Sequence, residues 1–395
     1  MERRRFIIVA MSVSSPGTMG GNTKIAIEMA RHLPKLGWSV VVVVPKGKLE
    51  TFTDNIQPVE GLSYSTIEDF HGSEFRRFAA SARHAKIEIG SVFRKLGVNG
   101  RDIVFATCNF HFEILSLVLL KRKYGFRYLP SHFLFSPFLF ENILRGYRFP
   151  AFKYLLVWFY ERTFFLLAKC FADGFVITND ADRCHFPRRM KNRLFAFYGG
   201  VNTDQIPNAP AGKTRDVVFC SRLHPQKGIE GLLEIWAIVC EKRPSSRLTV
   251  IGNGDASYEK RLREKAVRLG IADRVEWLGY VNNEAKYAIY RSAKAFAHST
   301  VFDNNGMVAA EALCSGLPVV MYDLPALRHV YAAGCMKVPY GDKTAFADAL
   351  LRLVADEDFN GATAPSPDQI ADLREHWDWS NRVKSFAAWL EVLHG

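Results

Sequence analysis

The chain has 395 residues, 48% hydrophobic and 23% charged, with a formal net charge of +12. That profile is globular and long enough for two domains of ordinary size, which excludes a disordered or fibrous chain. No run of about 18 uncharged apolar residues occurs, so no spanning helix is expected, and Arg3 to Arg5 lead into a short strand rather than a signal peptide's apolar core.

The seven cysteines (108, 170, 184, 220, 240, 314 and 335) are scattered, odd in number and without C-x-x-C spacing. They read as core thiols of a reducing cytoplasm, with no zinc site. The positive charge is uneven. Residues 1–200 hold 29 Lys and Arg against 16 Asp and Glu, a net +13, and residues 201–395 hold 23 against 24, a net −1. A basic front half could face nucleic acid, but no nucleic-acid module is visible, so an acidic membrane surface or a phosphorylated acceptor is the expected partner.

Arg5 to Val13 reads as a buried strand from its β-branched run. The loop Ser14 to Asn22 carries Gly20 and Gly21 into a helix through Leu36. Gly37 ends it, and Ser39 to Val44 is the next strand. Strand, glycine loop, helix, strand is half of a doubly wound α/β unit, which binds ligands beyond the carboxyl ends of its strands. The glycines lack G-x-G-x-x-G spacing, which disfavours a dinucleotide oxidoreductase.

Phe75 to Leu96 is a basic amphipathic helix, a pattern that suits acidic lipid but more commonly faces its own core. Asp102 to Cys108 and the stretch from Arg127 to His132 are strands. From Phe133 to Leu167 the chain is dense in Phe, Tyr, Leu and Trp, with Arg145, Arg148, Lys153 and Arg162 among them. Part of this is core helix, and the mixture also suits a membrane interface or a lipid-linked acceptor. Gly174 to Thr178 is the last strand of the first half. Asp180-Ala181-Asp182 has D-x-D spacing, but Asn179 or Asp180 is placed to cap the next helix, and no metal role is assigned.

In the second half, strands are expected over Asp216 to Cys220, Arg247 to Ile251 and Val275 to Leu278. Helices follow over Leu232 to Val239, Tyr258 to Leu269 and Glu284 to Ser292, with a turn at Gly252-Asn253-Gly254. Ala295 to Ala297 ends a buried strand, Asn304 to Gly306 favours a turn or cap, and Met307 to Cys314 forms a helix. Gly316 and Pro318 stop it before a strand at Val319 and Val320. Val338 to Asp342 is a turn, Ala345 to Val354 a helix, Ala355 to Pro367 loop-like, and Ser380 to Leu393 the final helix.

Two stretches carry chemistry. Asp303 precedes the Met307 helix and Glu311 lies within it, roughly 10 Å away along the axis. Between them the N–H groups of Gly306 and Met307 offer an anion site. Two carboxylates around an anion cradle suit a ligand with phosphate in its middle and hydroxyl-rich rings at both ends, the form of a nucleotide-diphosphate sugar. A surface helix with a solvated Glu and a loop Asp fits the pattern equally. In Val217 to Gly228, Arg222 and Lys227 flank a turn where two fixed cations could neutralise a diphosphate leaving group. Two solvated loop cations are the alternative.

Taken together, Arg222, Leu223, Lys227, Gly228, Gly306, Glu311, Ala312, Gly316, Pro318 and Val319 resemble family 4 retaining glycosyltransferases of the GT-B fold. Those enzymes carry a Gly-Arg-Leu…Lys-Gly loop and a Glu…Glu pair eight positions apart that runs into Gly-x-Pro-Val. The resemblance covers nearly all of the second half and scattered points of the first. It implies an α/β GT-B architecture: two Rossmann-like doubly wound domains facing a central cleft, with residues 1–200 the acceptor domain and 201–378 the donor domain. Residues 379–395 would form a helix crossing back to the first domain. Tyr198 to Asp204 resembles the family's hinge, with Gly199 for Asn and Asn202 for Asp.

The resemblance further implies that Gly20 and Gly21 approach the donor phosphate and acceptor, and that His132 faces the acceptor and the transferred sugar. Gly252 and Asn253 would line the nucleotide pocket. Arg222 and Lys227, with the N–H groups around Gly306 and Met307, would take the departing diphosphate in place of a metal, so that no metal or cofactor is needed. Glu311 would hold the ribose, and Asp303, with Asn305 beside it, the sugar. Four positions depart from the pattern: Asp303 for Glu, Asn305 for an aromatic residue, His298 for Pro and Ser221 for Gly.

The expected activity is retaining transfer of a hexose from a UDP- or GDP-sugar to a hydroxyl of a glycan or lipid-linked saccharide, in cell-envelope polysaccharide or lipopolysaccharide synthesis. The expected location is cytoplasmic, peripheral on the inner face of the plasma membrane. The alternatives are a nucleotide-sugar epimerase or hydrolase on the same fold, and a non-catalytic sugar-nucleotide-binding scaffold at the membrane. Intact Arg222, Lys227 and Glu311 argue against the scaffold.

Overall fold

A computed structural model describes residues 4–13, 20–69, 78–133, 135, 151–208, 212–331, 334–355 and 364–394, with the side chains of 151–154 and 394 left aside. The expectations for the loop at 14–19, for Phe75 to Arg77, for Arg145 and Arg148, for the side chain of Lys153 and for residues 356–363 lie outside the described residues. The chain forms two units: Met1–Tyr198 with Arg382–Gly395, and Gly199–Asn381.

Unit 1 is built on a parallel sheet in the order β3-β2-β1-β4-β5. Its strands are β1 (Arg5–Val9), β2 (Ser39–Pro45), β3 (Leu62–Ile67), β4 (Ile103–Ala106) and β5 (Arg127–Leu129). Val40 to Val44 form an unbroken buried run because helices cover both faces of such a sheet. Pairing sets Val9 opposite both Val43 and Ala106. A second parallel set, β6 (Ser131–His132), β7 (Phe175–Ile177) and β8 (Leu194–Ala196), follows beyond Pro130, whose carbonyl accepts the Val176 N–H at 3.0 Å.

The unit 1 helices are α1 (Gly21–His32), α2 (Glu50–Thr53), α3 (Phe78–Leu96), α4 (His111–Tyr124) and α5 (Ala151–Phe171). The helix expected to reach Leu36 ends at His32. Pro34 instead opens a separate turn that Gly37 closes at φ 87°. Helix α3 packs against α4 through Ala85, Ile89, Val92 and Phe93, so its apolar face covers its own core, the commoner of the two outcomes weighed for it. Asn179, not Asp180, provides the cap after β7, accepting the Asp182 N–H.

Unit 2 is a six-stranded parallel sheet in the order β11-β10-β9-β12-β13-β14. The strands are β9 (Arg215–Cys220), β10 (Leu248–Ile251), β11 (Val275–Gly279), β12 (Ala293–His298), β13 (Val319–Tyr322) and β14 (Cys335–Val338). Its helices are α6 (Ile229–Lys242), α7 (Ala256–Arg268), α8 (Asn283–Ser292), α9 (Met307–Cys314), α10 (Lys343–Ala355) and α11 (Pro367–Trp377). From β9 the chain steps outward through β10 and β11, then returns to lay β12 on the other flank of β9. The direction of winding therefore reverses between β9 and β12, the position where open parallel sheets bind ligands.

The last helix, α12 (Trp379–His394), begins in unit 2 and ends in unit 1. There the Phe386 ring meets Phe6 and Phe195 with centroids 5.8 and 5.1 Å apart, and Arg127 donates to the Leu393 carbonyl.

Candidate functional site

Three loops meet at the carboxyl ends of β9, β10 and β12, and glycines let them touch. Gly228 has φ +71°, and a Cβ there would overlap the Ser299 carbonyl oxygen. Gly252, at φ +122°, stands likewise against the Ser221 carbonyl, and Gly254 against that of Leu223. No side chain fits at these approaches, and the positive φ values favour glycine as well. Hydrogen bonds complete the weave. The Leu223 N–H donates to Asn253 O at 2.9 Å, the Val301 N–H to Gln226 O at 3.1 Å, and Gln226 Nε2 to Phe302 O at 2.8 Å.

This weave sets Lys227 against Asp303. Lys227 Nζ lies 2.6 Å from Asp303 Oδ2, joining the β9 loop to the β12 loop across the reversal point. Asp303 Oδ1 accepts the N–H groups of Asn305 and Gly306, both at 3.1 Å. Burial alone would raise the Asp303 pKa, but the charge of Lys227, then His298 and these hydrogen bonds, hold it well below the usual carboxylate range. The Gly306 N–H, expected to be open at the tip of α9, is thus capped by Asp303. Among the described residues no acceptor lies on the Met307 N–H.

Arg222 is exposed at the mouth of the same turn. Burial lowers the His224 pKa, and the charges of Arg222 and Lys227 on either side of it lower it further. His298, at the end of β12, is buried against Gly306. Its pKa falls to about 4, through burial and the nearby Lys227 outweighing Asp303, so the ring is neutral at pH 7. Asn305 and Gly306 are held from behind by Tyr331, whose hydroxyl donates to their carbonyls at 2.7 and 2.8 Å.

Glu311 sits in α9, its carboxylate 2.8 Å from Lys286 Nζ of α8, with both groups nearly buried. Burial works against the Lys286 charge, but the Glu311 carboxylate outweighs it and lifts the ammonium above its usual pKa. Burial raises the thiol pKa of Cys220, the last residue of β9, which also feels the charges of both. Lys286 gave no sign in the sequence: one lysine on an amphipathic helix looks like any other. Tyr331 and Gln226 were equally hidden, since each acts on backbone atoms far away in the chain.

Arg222, Lys227, Gly252, Asn253, Asp303, Asn305, Gly306, Met307 and Glu311 therefore gather around one sheet edge of unit 2. Gly20, Gly21 and His132 belong to unit 1. Gly20 and Gly21 start α1, with the Lys24 N–H bonded to Gly20 O at 3.0 Å. His132 is 1% exposed, its Nε2 3.2 Å from Glu161 Oε1 and its Nδ1 3.4 Å from Asn109 Nδ2. It is a core histidine engaged on both sides. Asp180, the other candidate weighed there, is tied to Arg183 and accepts from the Tyr198 hydroxyl at 2.7 Å. Among the described residues no group of three or more His, Cys, Asp or Glu is placed to share an ion.

Residues 201–368 match the family model described as Glycosyl transferases group 1. Phosphatidyl-myo-inositol mannosyltransferase of Mycobacterium leprae is 36% identical over 169 residues, a match that spans 40% of this chain and 43% of that protein's length. Among solved structures, sucrose-phosphate synthase from Thermosynechococcus elongatus superposes with a TM-score of 0.77 at 16% identity, covering 99% of each chain. Anabaena Alr3699/HepE, solved in complex with UDP-glucose, gives 0.71 at 16% identity over 98% of this chain and 99% of its own. At those identities the likeness is one of fold.

Proposed function

We propose that this chain, whose residues 201–368 form a group 1 glycosyltransferase domain within a GT-B fold, transfers a hexose from a UDP- or GDP-sugar with retention of configuration. The acceptor is a hydroxyl of a glycan or lipid-linked saccharide at an acidic membrane surface, in cell-envelope polysaccharide or lipopolysaccharide synthesis. The observation that carries the reading is the Lys227–Asp303 pair at the reversal point of the unit 2 sheet, with Arg222 on the same turn.

A diphosphate seated there meets an ammonium, a guanidinium and the Met307 N–H, fixed donors that need no reorganisation when the leaving group gains charge. Asp303, ionised by its surroundings, accepts from hydroxyls of the transferred sugar, and Glu311, held by Lys286, from those of the ribose. The acceptor oxygen attacks the anomeric carbon on the face from which the diphosphate departs. The carbon–oxygen bond to the β-phosphate breaks, and the acceptor's proton passes to the leaving phosphate. The cations take the part a divalent metal plays in other transferases.

A screen of UDP- and GDP-hexoses by thermal shift, followed by release of nucleotide with lipid-linked acceptors in EDTA, tests this. The expected result is stabilisation by one donor class and acceptor-dependent release that survives EDTA. Release without acceptor would favour an epimerase or hydrolase, and binding without release a scaffold.

A further inference from the structure

The outward faces of α3, α4 and α5 have a composition that the transfer chemistry of unit 2 does not require. These helices pack side by side in unit 1. Among the described residues their exposed charges are Arg83, Lys86, Arg94 and Lys95 on α3 and Arg122 and Lys123 on α4. Their carboxylates are three, and none is exposed: Glu113 and Glu161 are buried, and Glu88 is half-buried.

Beside this basic surface runs an apolar ridge. On α5, Leu156, Phe159 and Leu166 are 47%, 55% and 52% exposed, and on α4 Leu119 is 42% exposed. Positions 156, 159, 163 and 166 fall on one side of an α-helix, opposite the face on which Phe164, Phe165 and Ala168 enter the core. Ridge and rim adjoin: the Arg122 guanidinium lies 5.1 Å from the Phe171 ring at the end of α5. A soluble helix normally turns charge outward, so large apolar side chains there mark a contact surface. No described helix is long and apolar enough to cross a membrane, which fits a surface that lies on a bilayer rather than in it.

We propose that this face docks unit 1 on an anionic lipid bilayer, with the α5 ridge entering the headgroup–acyl boundary and the α3 and α4 cations resting on acidic headgroups. This deepens the membrane reading above by naming the docking face. It places the contact on α5 and α4 rather than on the apolar side of α3, which is closed against the core. Charge decides the occupant. A second copy would bring the same uncompensated cations against themselves, and a nucleic acid would leave the ridge in water, whereas an acidic bilayer answers both.

The test is co-sedimentation of the full chain with phosphatidylcholine vesicles, with and without phosphatidylglycerol, in the absence of any sugar nucleotide. Failure here is therefore separate from failure of the donor site. The wild type is expected to partition onto the anionic vesicles and to be released by salt. Phe159→Glu/Leu166→Glu should abolish binding, and Arg122→Gln and Lys123→Gln should each weaken it about fivefold. All four side chains are exposed, and an unchanged melting temperature confirms folding. Three results would overturn the proposal: a wild type that stays in the supernatant, a Phe159→Glu/Leu166→Glu protein that binds undiminished, or a wild-type dimer that this variant splits.

Discussion

Lys227 and Asp303 are 76 positions apart in sequence and 2.6 Å apart in space, and their ion pair bridges the two loops at the reversal point of the unit 2 sheet. In the proposed function the pair presets a cation for phosphate and a carboxylate for hydroxyls before any ligand arrives. Breaking it from one side leaves a half-buried charge alone. Lys227→Met is therefore expected to lower the unfolding free energy by about 3 kcal/mol, with much of the loss recovered in Lys227→Met/Asp303→Asn. Urea unfolding of both proteins checks this, and equal stability of the single and double variants would refute the coupling.

The same cluster fixes an acid limb. In the unfolded chain His298 takes up a proton near pH ~6.5, in the folded chain only at about 4. Between those values the unfolded state binds more protons, so stability is lost as pH falls from about 6.5 towards 4, by up to about 3 kcal/mol. Asp303 adds a further loss below its unfolded value near ~3.9, because its folded pKa is depressed. His185 of unit 1 is also held at about 4, chiefly by burial, so the informative quantity is a difference. His298→Leu should flatten the wild-type curve between pH ~4 and ~6.5, measured by denaturant unfolding across that range.

Gly228 and Gly252 carry the tightest steric requirements in the weave, each with a carbonyl oxygen where a Cβ would stand. Gly228→Ala must strain a backbone at φ +71° and push the Ser299 carbonyl aside, so a loss of at least about 2 kcal/mol is expected together with weakened nucleotide binding. Gly231→Ala, three residues on with nothing within 4 Å of a new Cβ, is the control and should leave stability unharmed. Thermal melts of the two proteins decide the matter.

Much of this was legible in the sequence. The valine run of β2, the bounds of α9 at Met307 and Cys314, and the cations at 222 and 227 all announce themselves through local pattern. What was hidden leaves no mark in the pattern of residue types. The capping of the Gly306 N–H by Asp303 is a matter of rotamer, which spacing does not express. Strand β14 was missed because Cys335 to Lys337 are only half-buried, which weakens its signature. Helix α11 follows a stretch that reads as loop, yet Ser366 and Gln369 form its capping box, with Pro367 as its first residue. Basic amphipathicity in α3 did not say what its apolar side would cover, because period alone separates two faces without naming their neighbours.

If Glu311 holds the ribose as proposed, the Lys286 ammonium 2.8 Å from its carboxylate positions it. Lys286→Met is expected to weaken donor binding about tenfold or more, with Lys286→Arg restoring part of it. The loss should vanish for a donor analogue lacking its ribose 2′- and 3′-hydroxyls, a distinction that general destabilisation would not produce. Isothermal titration with the two donors reads it directly.

The central claim is that unit 2 grips a diphosphate with Lys227 and Arg222. The most direct measurement compares UDP with uridine, and GDP with guanosine, by titration on the wild type, Lys227→Met and the surface variant Arg222→Gln. Each variant is predicted to weaken binding of the diphosphate about tenfold to a hundredfold while leaving the nucleoside unchanged. Undiminished diphosphate binding by both folded variants would contradict the account.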